Sequence, residues 1–178
     1  MRFRTSLITL ILAILSTASA HAFTHDFQAM REANPQTLTF TGSTIGTASD
    51  GFVYTCGESA VFGPDHQSGS LMSVKLLNSD DYVTISPAVE NLVEVTIRYI
   101  PYERNYTNIK VYTSRDGSSW SSALSGSSID YTNLGYIVVT LPKNAYYLKI
   151  ANSNGSKDVS IRSITYTQTD CNCFPYVP

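Results

Sequence analysis

Residues 93–99 alternate strictly: Val93, Val95, Ile97 and Tyr99 are separated by Glu94, Thr96 and Arg98. A period of two places the apolar set on one side of an extended chain and the polar set on the other. A helix would scatter the same residues around its circumference. The segment therefore reads as a half-buried strand, and the pattern recurs along the chain. Met72, Val74 and Leu76 share a face, as do Val83 and Ile85 against Tyr82 and Thr84. Ile109 and Val111 oppose Lys110 and Tyr112. Ile137, Val139 and Leu141 form a further face. Tyr146, Leu148 and Ile150 oppose Tyr147, Lys149 and Ala151. Shorter runs at 38–41 and 52–56 add two more strands. Near the end, Val159 and Ile161 share one parity while Ile164 and Tyr166 take the other, which predicts a β-bulge at Arg162 and Ser163.

Turn formers separate these runs. The stretches 42–51, 57–69 and 121–128, rich in Gly, Ser or Thr, read as loops. The only helical or irregular stretch of any length is a lead-in over 23–34, ended by Pro35. Eight to ten short strands with turns about every 8–12 residues predict an all-β, antiparallel β-sandwich.

Not all 178 residues belong to that sandwich. Arg2 and Arg4, the apolar run 7–15, and the small-residue patterns Ala18-Ser19-Ala20 and Ala20-His21-Ala22 make residues 1–22 a secretory signal peptide, cleaved after Ala22, with Ala20 as the alternative. The apolar run is too short to span a bilayer, and no second stretch approaches that length. The domain is then 23–170, followed by a Cys- and Pro-containing tail over 171–178. Formal net charge is −2, and the signal carries two of the basic residues, so nothing forms the basic footprint that nucleic acid requires. Charged residues make up only 15% of the chain, and 12 tyrosines supply much of its polarity. That composition suits an extracellular β protein, whether secreted, periplasmic or on a cell surface.

Export would place Cys56, Cys171 and Cys173 in an oxidising compartment. Cys171 and Cys173 are too close in sequence for an easy mutual bridge, which leaves a bridge from Cys56 to one of them as a candidate disulfide. The odd thiol is then left for a covalent protein partner.

The most distinctive motif is Ser114-x-Asp116-Gly117-x-x-Trp120, which holds the only tryptophan. Asp-Gly is a strong tight-turn signal because Gly accepts a positive φ. A strand followed by this motif resembles the galactose-binding-like or discoidin-like jelly-roll sandwiches. The flanking order is similar too: Ser86-Pro87, the strand at 93–99, the Asp-Gly-Trp hairpin, Tyr147-Leu148-Lys149-Ile150, and a closing Ile161-x-x-Ile164-x-Tyr166. The resemblance spans about residues 70–167. It implies a jelly-roll fold and a role like that of accessory domains in secreted bacterial polysaccharide-degrading proteins. It carries no sugar contact onto a particular residue of this chain.

Candidate ligand residues are therefore read from chemistry. Trp120 offers the largest apolar face for a pyranose, although its fixed place after a turn favours packing at the edge of the core. Tyr102 and Tyr106 flank Arg104 in a loop that mixes aromatic and hydrogen-bonding groups, and Tyr131 sits in another loop. Asp80, Asp81 and Asp116 are turn carboxylates that could serve calcium, although turns favour Asp in any case. The chain contains neither Gly-x-Ser-x-Gly nor His-Glu-x-x-His. With no nucleophile–base constellation, no catalytic residue is assigned. The expectation is a secreted, non-catalytic carbohydrate-binding or accessory module. The alternative is a structural or adhesive extracellular domain that binds protein.

Overall fold

The computed structural model describes residues 20–33, 44–47, 51–57, 59–65, 69–101, 109–129, 135–143, 145–153 and 158–169. In chain order these form β1 (Ala20–Asp26), α1 (Phe27–Ala33), β2 (Thr44–Thr47), β3 (Val53–Gly57), β4 (Val61–Pro64), β5 (Met72–Leu76) and β6 (Tyr82–Ser86). There follow β7 (Leu92–Pro101), β8 (Ile109–Ser114), β9 (Ser127–Ile129), β10 (Gly135–Thr140), β11 (Tyr147–Asn152) and β12 (Val159–Thr169). One sheet has the order β4-β5-β12-β7-β10-β9, with β1 also pairing β12. The other has the order β2-β3-β6-β11-β8. All pairings are antiparallel.

The core lies between the sheets and is built from the parities the alternation predicts. Val95, Ile97 and Tyr99 of β7, Ile137 and Val139 of β10, and Ile161 and Ile164 of β12 face Val83 and Ile85 of β6, Val111 of β8, and Leu148 and Ile150 of β11. Each such side chain withdrawn from water contributes about 1.5–3 kcal/mol of transfer free energy. The seven-stranded sheet is organised on β12. Its one edge pairs β7 throughout. Its other edge pairs β5 at Val159 to Ile161 and then β1 at Ser163 to Thr169. Between Ile161 and Ser163 the register against β7 shifts, so the predicted bulge is present. The extra residue lets Ile164 and Tyr166 rejoin the core parity, and Arg162 forms a 2.8 Å ion pair with the buried Asp65.

Four short strands extend the predicted pattern, bringing the described residues to twelve. The lead-in at 23–34 is not mainly helical: β1 precedes the helix and joins the large sheet. Phe23 stacks on Tyr166, and His25 meets Phe52 edge-on. The Nδ1 of His25 lies 2.5 Å from the Tyr54 hydroxyl, which lies 2.8 Å from that of Tyr166, so polar tips link β1, β3 and β12 across the sandwich. Asp26 then caps α1, its Oδ1 accepting from the backbone N–H groups of Gln28 and Ala29. Gln28 fastens the helix to β5 by accepting from Met72 N–H through Oε1. Cleavage after Ala22 would leave residues 23–26 of β1 in place. The stretches expected as loops at 42–51, 57–69 and 121–128 contain β2, β4 and the start of β9. These strands were hidden by their Gly, Pro and Ser, and pairing to an existing edge stabilises them. Tyr146, expected beside Leu148 and Ile150, precedes β11 and is 48% exposed. The strand expected at 38–41 lies outside the described residues, as do residues 1–19 and the tail 171–178.

Candidate functional site

The Ser114–Trp120 motif builds a wall at one margin of the five-stranded sheet. The Ser114 hydroxyl oxygen accepts from the N–H groups of Asp116 and Gly117, and the hydroxyl donates to Asp116 Oδ1. The same Oδ1 accepts from Ser118 N–H at 2.8 Å and Ser119 N–H at 2.7 Å. These backbone donors, Ser119 first, and the Ser114 hydroxyl hold the Asp116 carboxyl well below the usual carboxylate range. Gly117 adopts φ 74°, a conformation that a side chain would strain, and sits directly above the Tyr147 ring. The chain then returns along the free edge of β8. Trp120 bridges Ser114, Ser121 N–H donates to the Thr113 carbonyl at 2.9 Å, and Leu124 N–H donates to the Val111 carbonyl at 2.8 Å.

This path carries Trp120 onto the outer face of the sheet. Its ring is half-buried and does not belong to the core, which corrects the expectation of an edge-packing residue. Beneath it lies Lys149 of β11, whose cross-strand partners are Tyr112 of β8 and Thr84 of β6. The Lys149 ammonium lies 4.9 Å from the Trp120 ring centre, 4.8 Å from Tyr112 and 5.6 Å from Tyr82. Three rings thus surround one cation, each at cation–π distance. Tyr82 reaches this position because its cross-strand partner is Gly57, where a Cβ would overlap the ring.

Among the described residues, three depressions border the wall. A groove of about 180 Å³ runs between Trp120 and Tyr147 over Thr55, Thr84 and Ser86. A larger one of about 510 Å³ lies on the far side of Trp120, toward Arg115, Pro142 and Lys143. A third, of about 340 Å³, holds Glu90, Arg115, Tyr146 and Tyr147. Aromatic faces, hydroxyls and charged groups therefore share one surface, a combination that suits a polyol.

Of the residues selected from sequence, the structure brings Trp120 and Asp116 to this site. Tyr102, Arg104, Tyr106 and Tyr131 lie outside the described residues. Tyr82, Tyr112, Tyr147 and Lys149 were missed because each reads as an ordinary outward residue of an alternating strand. The available signal was the outward set taken together, since the five strands of this sheet contain Tyr and Lys but no Asp or Glu.

Two of the calcium candidates, Asp81 and Asp116, accept from backbone N–H groups. Asp81 is 1% exposed, and its carboxylate accepts from Ser59, Leu77 and Asn78 N–H groups. Asp80 occupies the adjacent turn with φ 70°. Among the described residues, no three His, Cys, Asp or Glu side chains are grouped to hold a metal ion. Cys56 is buried on the inward face of β3, where desolvation, and secondarily the charge of Asp81, pushes its thiol up to about 12. Cys171 and Cys173 lie outside the described residues. Among the described residues, no helix is long and apolar enough to cross a membrane.

No family model and no curated protein matches the sequence. Solved structures do match. The K1 cleaved adhesin domain of Lys-gingipain from Porphyromonas gingivalis W83 aligns with a TM-score of 0.51 at 14% identity, over 82% of this chain and 97% of that one. The K2 cleaved adhesin domain of Lys-gingipain aligns with a TM-score of 0.53 at 14% identity, over 82% and 99%. At this identity the likeness speaks for the fold. The chain is an antiparallel two-sheet β-sandwich similar to these adhesin domains, the architecture implied by the galactose-binding-like resemblance.

Proposed function

We propose that the chain is a non-catalytic module that binds glycan on the outer face of its five-stranded sheet, as an accessory domain of a secreted protein. One observation carries this reading: Trp120, Tyr112 and Tyr82 are gathered around Lys149 outside the core, on a face floored by Thr55 and Thr84. Ring faces match the C–H faces of pyranoses, and the hydroxyls beside them match sugar hydroxyls. The histidine that could have suggested acid–base chemistry, His25, is instead buried against aromatic rings and the Tyr54 hydroxyl. The adhesin names of the similar structures favour a second reading, an adhesive domain that binds protein on the same face.

A glycan array followed by polysaccharide pull-down on the full chain tests the first reading. Binding should be lost in Trp120→Ala and Tyr112→Ala while thermal unfolding stays close to that of the parent. Failure to bind any glycan on the array, or full binding by both variants, would sink it.

A further inference from the structure

We infer that the ligand is an acidic glycan, whose carboxylate or sulfate is received by Lys149 while the sugar ring lies against Trp120. The inference rests on the glycan reading above and narrows it.

The chain is acidic overall, with a formal net charge of −2. Yet the five strands of the smaller sheet hold Lys110 and Lys149 and no acidic residue, and the rim adds Arg115 and Lys143. Among the described residues, two acids border the three depressions: Asp116, whose Oδ1 accepts from its own turn, and Glu90, which lines the third depression with Arg115. Among the described residues, no carboxylate is within ion-pair distance of Lys149, whose environment is the three rings.

A half-buried ammonium among aromatic faces has lost part of its hydration, and an anion that reaches it restores more than the rings do. Here the sheet supplies rings and leaves the anion to come from outside. An acidic hexose fits both halves of the arrangement with one residue: its C–H face on Trp120, its anionic group on Lys149. A neutral sugar would use the rings and leave the cation uncompensated. A protein ligand with a surface carboxylate would satisfy the cation but would not require the indole face.

The test compares polygalacturonate with its fully methyl-esterified form, which keeps the backbone and removes the charge, and dextran sulfate with dextran. Titrations use the full chain at two salt concentrations. At least one acidic polymer should bind about tenfold or more tightly than its neutral counterpart, as expected for one charge-assisted contact. The better of the two acidic polymers identifies carboxylate or sulfate as the anion. Lys149→Met should erase that preference, and Lys149→Arg should retain most of it. Trp120→Ala should weaken both members of a pair, which separates a built site from diffuse polyanion attraction. Equal affinity for charged and neutral partners, unchanged in Lys149→Met, would overturn the inference and leave glycan binding standing. Binding to none of the four polymers, together with an empty glycan array, would overturn both.

Discussion

In each sheet a tyrosine ring lies over a glycine of the neighbouring strand, and these two rings have opposite fates. In the large sheet Gly135 of β10 faces Tyr99 of β7, and the ring lies over the glycine inside the core, where Tyr99 is 0% exposed. In the small sheet Gly57 of β3 faces Tyr82 of β6, and the ring lies over the glycine on the outer face, half-exposed and beside Lys149. The local device is the same: a missing side chain on one strand lets an aromatic ring cover the backbone of its neighbour. The parity of the strand decides whether that ring builds the core or a surface. The outer faces differ accordingly. That of the large sheet carries Glu94 and Arg98 with Thr96 between them, and Arg98 leans on Tyr136, a mixed and self-balanced surface. The strands of the small sheet contribute rings and lysines and no acid, and Asp116 enters only from the turn beside Trp120.

The comparison is tested most severely by removing the rings. Tyr99→Ala should cost about 3–5 kcal/mol, the usual range for emptying a buried aromatic site. Tyr82→Ala should cost about 1 kcal/mol or less, because its ring lies on the outer face and is only partly withdrawn from water. Equilibrium urea unfolding of the two variants gives the difference, and equal costs would mean that Tyr82 is structural after all.

A smaller effect comes from filling the glycines. A Cβ at either position would overlap the ring above it. At Gly135 the ring is enclosed, so Gly135→Ala should destabilise by about 1–3 kcal/mol, as overpacking does. At Gly57 the ring can swing outward, so Gly57→Ala should cost less than about 1 kcal/mol. It should nevertheless weaken glycan binding, because Tyr82 leaves Lys149. The contrast sharpens if binding falls while the melting temperature holds. It breaks if Gly57→Ala unfolds the domain as readily as Gly135→Ala.

These pairs also mark the limit of what could be read from the chain alone. The inward parities of β7, β10 and β11 and the bulge in β12 were legible, since alternation over a few neighbouring residues carries that information. β1 was not, because a single Phe among Ala, His and Asp makes no alternating apolar run, and its position depends on pairing with β12 and on Phe52 and Tyr166 packing beside it. The Asp26 cap was visible in principle, as an Asp directly before a helical run. Trp120 was found as a residue and misjudged in place. Its position depends on a turn that folds back across the strands, and alternation does not describe that path. Lys149, Tyr112 and Tyr82 come from three strands far apart in sequence, and only the register of β6, β11 and β8 brings them together. Sheet faces are made of such rows, and no local pattern contains them.

The smallest expected effect concerns the turn that holds Trp120 above the small sheet, a support the Tyr99 pair does not need. Asp116 is fully exposed, but its ionised carboxylate accepts from Ser119 and Ser118 N–H groups and from the Ser114 hydroxyl, which places its folded-state value below the usual range. A depressed carboxylate contributes its stabilisation in full above the unfolded value of about 3.9, and loses it as pH falls through the lower folded value. The backbone amide signals of Ser118 and Ser119 should therefore stay constant from neutral pH down to about pH 4 and move only in more acidic solution. In Asp116→Asn, which cannot ionise, that acid step should vanish while the Tyr99 signals of the core stay where they are. A midpoint at the ordinary aspartate value in the parent protein would show that the turn is not held by this carboxylate. Trp120 would then owe its place over Lys149 to its bridge with Ser114 and to the contact with Lys149 itself.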